Sequence, residues 1–442
     1  MTDQELIQRA AQAYVYGFPL VFDVEQVDRF VRTGLGANPP APFNTFGHTP
    51  GLAEPSDTFV TVNNDTLYSI AQIDLGVGPI VLRVPASDRY YVLQFVDAWT
   101  NNFAYIGTRG TGNDAGTYLL VPPGWAGTAP DGMTPVRFPT RVASIVGRYA
   151  VAGPQDLPAA KALQDALTLE PLEPGRVPVG VPEIAADASA ALTFFEKFRT
   201  WSQEFLPAAR DLPVLRTFAA LGLTGEVPVA DLAEPVRAAL GAGYEAGREM
   251  LEQLVRGSAA DVVNGWVQSF HIFDYNLDFF EIGTRDEPQW KMAEGPVRFA
   301  TRAAAALGGL WGNHGYEAAY SPIYLDDKGE QLTGERTYTL RLDPTPPNAG
   351  FWSLTMYDVP DYYLVENPIG RYSIGDRTPG IVFDTHGALT VTIGHTEPED
   401  PVARANWLPC PAGPFRPLLR VYIPDPQVLD GRYVPAPIER RA

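Results

Sequence analysis

The sequence has 442 residues, 45% of them hydrophobic, so it is long enough for two or three structural units and can bury a large core without disulfides. Its 33 basic and 52 acidic residues give a formal net charge of -19, which disfavours nucleic acid and anionic membrane surfaces as partners. The single cysteine, Cys410, excludes an intrachain disulfide and a thiolate metal cluster, and the chain lacks the run of about 18 apolar residues that predicts a membrane helix.

The first 150 residues predict a short helix followed by a β-sandwich. Residues 3–16 have helical periodicity with Asp3 as the N-cap, and Gly17 and Pro19 are expected to end the helix. The N-terminus lacks a basic segment followed by an apolar one, so we expect no signal peptide and a cytoplasmic location. Residues 31–57, rich in Pro, Gly, Asn and Thr, indicate an irregular surface segment. Short β-branched or aromatic runs between turn residues then predict strands at 58–64, 66–75, 79–85, 90–99, 117–123 and 141–151.

The middle of the chain predicts helices, and the β pattern then returns. A 3.6-residue rhythm predicts helices at 157–169, 189–206, 232–255, 262–282 and 298–313, with a linker-like break at 171–182. Further strands are predicted at 336–343, 350–358, 381–395 and 418–424. The order β, α, β predicts an α+β fold with an N-terminal domain at 1–150, a helical region at 151–314 and a C-terminal β domain at 315–442.

Many irregular phrases occur in an order that resembles one family of bacterial proteins. The phrases lie at 63–69, 74–75, 78–79, 89–91, 101–103, 351–358, 367–368, 371–377, 406–409, 414–415, 419–420 and 422–424. Together they resemble proteins that pair the domains of unknown function numbered 1254 (N-terminal) and 1214 (C-terminal), over nearly the whole chain. The resemblance implies two β-sandwich or jelly-roll-like units with helices between them. It assigns no reaction, although some relatives serve natural-product pathways as cyclase or dehydratase-like enzymes. The sequence departs from the family pattern at 386–388, Trp311 and His314.

Several classes of chemistry have no motif in this sequence. The phosphate-binding GxxxxGK[ST], a GxGxxG that opens a helix after a strand, the GxSxG elbow and HExxH are all absent. The histidines are scattered, and a metal site formed by Asp384, His386 and His395 is a minor alternative to a solvated turn. Cys410 is expected to be a packed thiol. We therefore expect no cofactor and no metal, and acid–base chemistry remains.

Two polar clusters in the N-terminal part are candidate sites. The first is Asn63, Asn64 and Asp65 with Tyr68, in which Asp65 would be a base and the asparagines donors. The alternative is an Asx turn, in which the same side chains bind backbone N–H groups. The second cluster, Asp97, Trp99 and Asn102, follows an apolar strand, where a sandwich often binds ligands. Its alternative is a loop that caps the sandwich.

Further candidates lie in the C-terminal half. Strand alternation places Trp352 opposite Ser353 and Tyr357, and Arg371 is a candidate for binding an enolate or carboxylate oxygen, with a structural ion pair as the alternative. On the helix predicted at 262–282, a polar stripe could be a catalytic relay or a solvated acidic face; it consists of His271, Asp274, Asp278 and Glu281. His314 is expected either to interact with a helix dipole or to act as an acid–base residue in a pocket.

These observations lead to one main hypothesis and two alternatives. The main hypothesis is a cofactor-independent lyase or cyclase that acts on an apolar oxygenated small molecule, such as a polyketide-like metabolite. Its residues are a base (Asp65 or His314), an acid (Tyr68 or Asp97), donors to developing charge (Asn63, Asn64 and Arg371) and further pocket residues (Trp99, Asn102, Trp311, Trp352 and Tyr357). The alternatives are a non-catalytic protein that binds a small molecule or carbohydrate, and an assembly protein without a closed pocket. A homo-oligomer is compatible with each of them.

Overall fold

The computed structural model describes residues 2–57, 61–185, 189–256 and 261–441. The helices in these ranges are Asp3–Thr33 (α1), Leu157–Asp165 (α2), Ala190–Glu204 (α3), Leu212–Arg216 (α4), Glu234–Arg256 (α5), Pro296–Gly309 (α6), Pro401–Ala405 (α7) and Pro426–Leu429 (α8). The strands are Phe46–His48 (β1), Thr66–Asp74 (β2), Ile80–Val84 (β3), Tyr91–Asp97 (β4), Asn102–Gly107 (β5), Gly116–Val121 (β6), Thr134–Arg137 (β7), Val142–Ala150 (β8), Thr168–Pro171 (β9), Asp261–Val263 (β10), Trp266–Gln268 (β11), Ala318–Pro322 (β12), Tyr338–Leu342 (β13), Asn348–Asp358 (β14), Ser373–Gly375 (β15), Leu389–Gly394 (β16), Trp407–Pro409 (β17), Phe415–Pro424 (β18) and Glu439–Arg440 (β19). Across these ranges, no helix combines the length and the apolar character that a membrane span needs.

The N-terminal module is a sandwich of two sheets with strand orders β1-β2-β8-β4-β5 and β7-β6-β3-β9. Along β8, Ile145 and Tyr149 point into the core between these sheets, together with Leu82 and Phe95. The opposite face of β8 is buried as well, because Arg148 on that face is only 6% exposed. The five-stranded sheet is therefore covered on both faces, as its nearly continuous apolar strands require.

The C-terminal module has two further sheets, with strand orders β12-β18-β14-β15 and β17-β16-β13-β19. Leu340, Leu354, Ile393 and Leu419 contribute to its core, and residues of β4, β5 and β8 belong to the same apolar cluster. The two modules are therefore packed directly against each other. Helices and several separate sheets occur in one chain, and the prediction of an α+β fold with two β units is confirmed.

A layer of helices packs beside the N-terminal sheet, and its longest member corrects one prediction. α1 runs for 31 residues and packs against α3, α5 and α6, so the prediction that Gly17 and Pro19 end it is wrong. Both residues are buried. A Cβ on Gly17 would lie 2.6 Å from the ring of Phe198, so the glycine permits close helix packing. The N-cap is Thr2 rather than Asp3, and it forms a capping box with Glu5.

The prediction of a helix at 262–282 is also wrong. The strands β10 and β11 form an antiparallel hairpin there, followed by turns and irregular backbone. The hairpin turns at Asn264 (φ 54°) and Gly265 (φ 83°), and two consecutive positive φ angles are the geometry that Asn-Gly adopts in a tight turn. The Asn-Gly pair was the signal in the sequence, and the apolar periodicity around it obscured the signal.

Most predicted strands coincide with observed ones, but the prediction at 58–64 differs from the structure, and several short strands, among them β7, β12, β15 and β17, were not predicted. Of the strand predicted at 58–64, residues 58–60 lie outside the described residues and 61–64 are not in a strand. β5 was not predicted, because its sequence follows the polar residues that were interpreted as a loop. The segment 31–57 is less superficial than expected, since α1 continues to Thr33, β1 follows, and Asn38 and Thr49 are buried.

Candidate functional site

A cleft of about 510 Å³ opens between the two modules. The N-terminal side contributes residues 51–54, the Asn64–Asp65 pair and residues 151–154. The C-terminal side contributes Trp352, Ser353 and most of the loop from 369 to 379 around β15. A volume of this size lies within the range of pockets that bind small molecules.

The carboxylate of Asp65 lies on the wall of this cleft and is held by the other module. Its Oδ2 accepts a hydrogen bond from Ser353 Oγ at 2.5 Å, and its Oδ1 accepts one from Ser373 Oγ at 3.0 Å. The two serines reach the same carboxylate because β14 and β15 are adjacent antiparallel strands, in which Thr355 lies opposite Ser373. Asp65 is 6% exposed. It is thus a buried carboxylate whose position depends on both modules.

Arg377 places a positive charge in the same cleft. One of its terminal nitrogens donates to the backbone oxygen of Asp65 at 3.4 Å, and its guanidinium lies 3.5 Å from the ring centroid of Phe351. Its Nε is buried and has no hydrogen-bond partner among the described residues. Burial lowers the pKa of Arg377, and the nearby carboxylate of Asp65 acts in the opposite direction. A donor without a partner beside a carboxylate can bind an oxygen atom of a guest molecule.

A smaller cavity of about 150 Å³ lies next to the cleft. Gly51 and Ala53 line both spaces. The wall of the smaller cavity includes Tyr68, Arg148 and Trp311. Trp311 has φ 60°, a left-handed conformation that is rare for a bulky residue, and its indole N–H donates to Asp23 at 2.7 Å.

The polar residues 63–68 divide between these two spaces. Asn63 and Tyr68 line the small cavity, and Asn64 lines the cleft together with Asp65. The Asx turn that was the alternative interpretation is present, because the backbone N–H of Asp65 donates to Asn63 Oδ1 at 2.5 Å. Asn63 Nδ2 donates to the hydroxyl of Tyr422, and Asn64 Nδ2 donates to the backbone oxygen of Ala53 at 2.6 Å. The asparagines thus hold the loop that presents Asp65.

Three predicted binding residues in the C-terminal module have different surroundings. Trp352 lines the cleft but is only 2% exposed. Tyr357 donates to the backbone oxygen of Val62 at 2.6 Å. Arg371 also lines the cleft, and its guanidinium donates to the backbone oxygens of Ala405 and Trp407 at 2.9 and 2.8 Å. A cation in contact with Asp65 is instead Arg377, which donates to its backbone oxygen and was not among the predicted site residues.

The second polar cluster lies away from both spaces. Asp97 is fully buried and accepts hydrogen bonds from the backbone of Trp99 and Asn101, both at 2.9 Å, which caps the turn between β4 and β5. Burial raises the pKa of Asp97 to about 6. Trp99 Nε1 donates to the backbone oxygen of Phe205, and Asn102 donates to that of Gly312. These contacts match the alternative of a capping loop.

His314 lies in a cluster with the buried Asp274 and the partly exposed His271. His271 Nδ1 lies 2.5 Å from Asp274 Oδ2, and His314 Nε2 lies 3.9 Å from Asp274 Oδ1. The hydroxyl of Tyr316 is 2.8 Å from His314 Nδ1. Burial lowers the pKa of His314 to about 4. Burial also lowers the pKa of His271, but Asp274 outweighs it, and the net shift is upward.

The remaining members of the predicted polar stripe do not join this cluster. Because residues 262–282 are not helical, Asp278 instead pairs with Arg210 at 2.7 Å, and Glu281 lies 3.6 Å from Arg137. In the part of the chain that the structure describes, no three His, Cys, Asp or Glu side chains are arranged to hold a metal ion.

Comparisons with known proteins agree with the resemblance seen in the sequence. Residues 43–171 match the family described as "Protein of unknown function (DUF1254)", and residues 317–426 match "Protein of unknown function (DUF1214)". No curated protein is similar to the chain. The VPA0106 protein from Vibrio parahaemolyticus is similar in structure, with a TM-score of 0.75 and 22% identity over 99% of this chain and 100% of that chain. An uncharacterized protein from Burkholderia cenocepacia has a TM-score of 0.43 and 12% identity over 99% of this chain and 94% of that chain. The first likeness shows a shared fold.

Proposed function

The chain belongs to the two-module proteins that join DUF1254 to DUF1214, and we propose that it binds an apolar oxygenated small molecule in the cleft between the modules and transforms it by cofactor-independent proton transfer, as a lyase or cyclase. The observation that carries this proposal is the pairing of two groups in one cleft. Asp65 is a buried carboxylate, and Arg377 is a cation whose Nε lacks a partner among the described residues. One group can accept a proton while the other binds the oxygen that becomes negative.

The chemistry that fits these groups is removal of a proton next to a carbonyl. Asp65 would take the proton from carbon, and Arg377 would bind the enolate oxygen that forms. In a dehydration, the protonated carboxyl would then return the proton to the leaving hydroxyl, so that water departs and no redox change occurs. In a conjugate addition, the enolate carbon would instead bond to the β-carbon of a conjugated carbonyl in the same molecule, and the protonated carboxyl would give its proton to the α-carbon of the new enolate. Dehydration and cyclisation of a polyketide-like molecule both need only these steps.

A binding function without catalysis is the second candidate. Both oxygens of Asp65 already accept hydroxyl hydrogen bonds, from Ser353 and Ser373. A carboxylate with these partners can serve to fix the two modules or to bind a ligand hydroxyl. A protein for binding a carbohydrate or another small metabolite would need the same cleft but no proton transfer.

Binding and turnover of candidate molecules separate the two functions. Oxygenated metabolites are first screened for an increase in melting temperature of the wild-type protein, and those that bind are then incubated and analysed by mass spectrometry. We expect Asp65→Asn to retain affinity for the bound molecule and to lose about 10²–10⁴-fold in turnover, which is the usual contribution of a general base. Asp361→Asn, at an exposed position, is the matched control and should leave both unchanged. Tight binding with no product formed by the wild type would instead support the binding function.

A further inference from the structure

Arg148 is a buried cation in the wall of the smaller cavity. Its side chain projects from β8 on the face opposite the sandwich core, and the residue is 6% exposed. Buried charged groups in proteins are normally paired with an opposite charge, because removal of an ion from water is costly. In the same interior the buried Arg109 follows this rule and pairs with Glu317 at 2.5 Å, whereas Arg302 and Arg420 donate to neutral oxygens.

Arg148 has only neutral partners. Its terminal nitrogens donate to Gln94 Oε1 at 2.7 Å and to the backbone oxygen of Trp311 at 3.0 Å, and its guanidinium lies 5.2 Å from the ring centroid of Tyr68. No described carboxylate forms an ion pair with it. Asp57 also lines the cavity, but its carboxylate accepts a hydrogen bond from the backbone of Glu54. Arg148 therefore has no ion-pair partner among the described residues, and Asp57 is the one acidic residue among those that line the cavity.

The hydroxyl of Thr66, at the same wall, has no hydrogen-bond partner among the described residues. Its Oγ1 is buried. Thr66 and Tyr68 lie two residues apart on β2, and Tyr68 is opposite Arg148 on β8. Side chains two residues apart on a strand project from the same face. The hydroxyl and the guanidinium thus project from the same face of one sheet.

The rest of the wall is largely apolar, with Ile70, Val146 and Leu310 among its residues. A volume of about 150 Å³ corresponds to a cavity that holds a benzene-sized molecule. We propose that this cavity binds a small carboxylate-bearing molecule, with the carboxylate on Arg148 and Thr66 and the apolar body against the aliphatic side chains. This site is separate from Asp65 and Arg377, and it does not rest on the proposed function.

Titration calorimetry with benzoate and its neutral analogue benzamide tests the proposal. We expect the wild-type protein to bind one benzoate and to bind benzamide at least tenfold more weakly. Arg148→Met should reduce benzoate affinity by at least tenfold and leave benzamide affinity within about twofold, because a hydrogen-bonded charge contributes this much. The proposal is overturned if the wild type does not bind benzoate, or if Arg148→Met binds it as tightly as the wild type.

A second variant avoids dependence on the folding of Arg148→Met. Thr66→Val replaces a hydroxyl that has no partner among the described residues by a methyl group of the same shape, so the melting temperature should not fall. Benzoate affinity should nevertheless decrease by about tenfold. Arg377→Gln changes the cation of the larger cleft and should leave benzoate affinity unchanged. Loss of benzoate binding in Arg377→Gln but not in Thr66→Val would place the ligand in the other cleft and contradict the proposal.

Discussion

At the residue scale, the buried charges of this protein differ in how they are compensated. Arg109 and Glu317 form a close pair, whereas Arg148 and Arg420 have hydrogen bonds to neutral oxygens. Asp65 is compensated by two serine hydroxyls and lies beside Arg377. An uncompensated buried charge is costly. Arg148 and Arg377 line cavities, whereas Arg420 lines neither of them and is stabilised by its hydrogen bonds to neutral oxygens.

His314 gives a prediction at this scale. Burial lowers its pKa to about 4, so the unfolded chain, with an ordinary histidine, binds a proton more readily than the folded protein as the pH falls from about 6.5 to 4. Stability contributed by the neutral histidine is thus present above pH 6.5 and is lost toward pH 4. The loss is on the order of 2–3 kcal/mol. Urea unfolding at pH 7.5 and 4.5 should show a smaller pH-dependent loss for His314→Gln than for the wild type.

The control for this comparison is His386→Gln, because His386 lies exposed in a turn. It should reproduce the pH dependence of the wild type. An equal dependence in His314→Gln and the wild type would show that the buried histidine does not titrate as proposed.

Only part of the candidate site could be predicted from the sequence, and there is a physical reason why its other residues could not. Asn63, Asn64 and Asp65 stood out because three short polar side chains follow one another before an apolar strand. Ser373 and Arg377 did not stand out, because their importance arises from contacts with Asp65, which lies about 300 positions away in the sequence. Periodicity reports which face a residue occupies on its own strand. It does not report which module that face meets.

At the scale of elements, close helix packing explains why helix propensity alone predicted the wrong C-terminal end for α1. Helix α1 continues through a glycine and a proline because its middle is buried, and tertiary packing outweighs the local preference. In the hairpin β10–β11 a local preference determines the structure instead. The Asn264-Gly265 turn outweighs the apolar periodicity that predicted a helix there. The longer strands were mostly predicted, because turn residues bound them on both sides, whereas short strands such as β7, β12, β15 and β17 were missed.

Two glycines of α5 test this account of helix packing. A Cβ on Gly243 would overlap that of Ala10 on α1 and lie 2.9 Å from backbone atoms of Ala10 and Ala11, whereas a Cβ on Gly241 would meet nothing within 4 Å. We expect Gly243→Ala to destabilise the protein by about 1–3 kcal/mol through overpacking. Gly241→Ala should stabilise it by up to about 1 kcal/mol through better helix propensity. Chemical denaturation measures both, and a stabilising Gly243→Ala would contradict the close contact of α1 with α5.

At the scale of the whole molecule, the two modules meet through buried polar contacts as well as an apolar core. Glu317, just before β12, binds both Arg109 and Tyr90 of the N-terminal module, at 2.5 and 2.8 Å. Asp65 binds serines of the C-terminal module from the other direction. Contacts of this kind hold the two sides of the cleft in a fixed relation. The arrangement explains how a site can lie between modules that occupy separate parts of the sequence.

This arrangement predicts that the modules unfold together. Hydrogen exchange followed by mass spectrometry should show peptides of both sandwiches losing protection at the same denaturant concentration. Glu317→Gln removes the negative charge that pairs with the buried Arg109 and should destabilise both modules by about 3–5 kcal/mol. Unfolding of one module alone, or destabilisation confined to one, would contradict the prediction.

The central claim is that Asp65 moves a proton of a molecule bound in the inter-module cleft. The most direct measurement is deuterium incorporation, in which a ligand found by the stability screen is incubated with the protein in D₂O and its mass is determined. The account predicts that the wild-type protein changes the mass of the ligand, either by loss of water or by gain of deuterium on carbon, and that Asp65→Asn binds the ligand but makes this change at least about a hundredfold more slowly. Equal rates in the two proteins, or neither change with the wild type for any ligand that binds in the cleft, would contradict it.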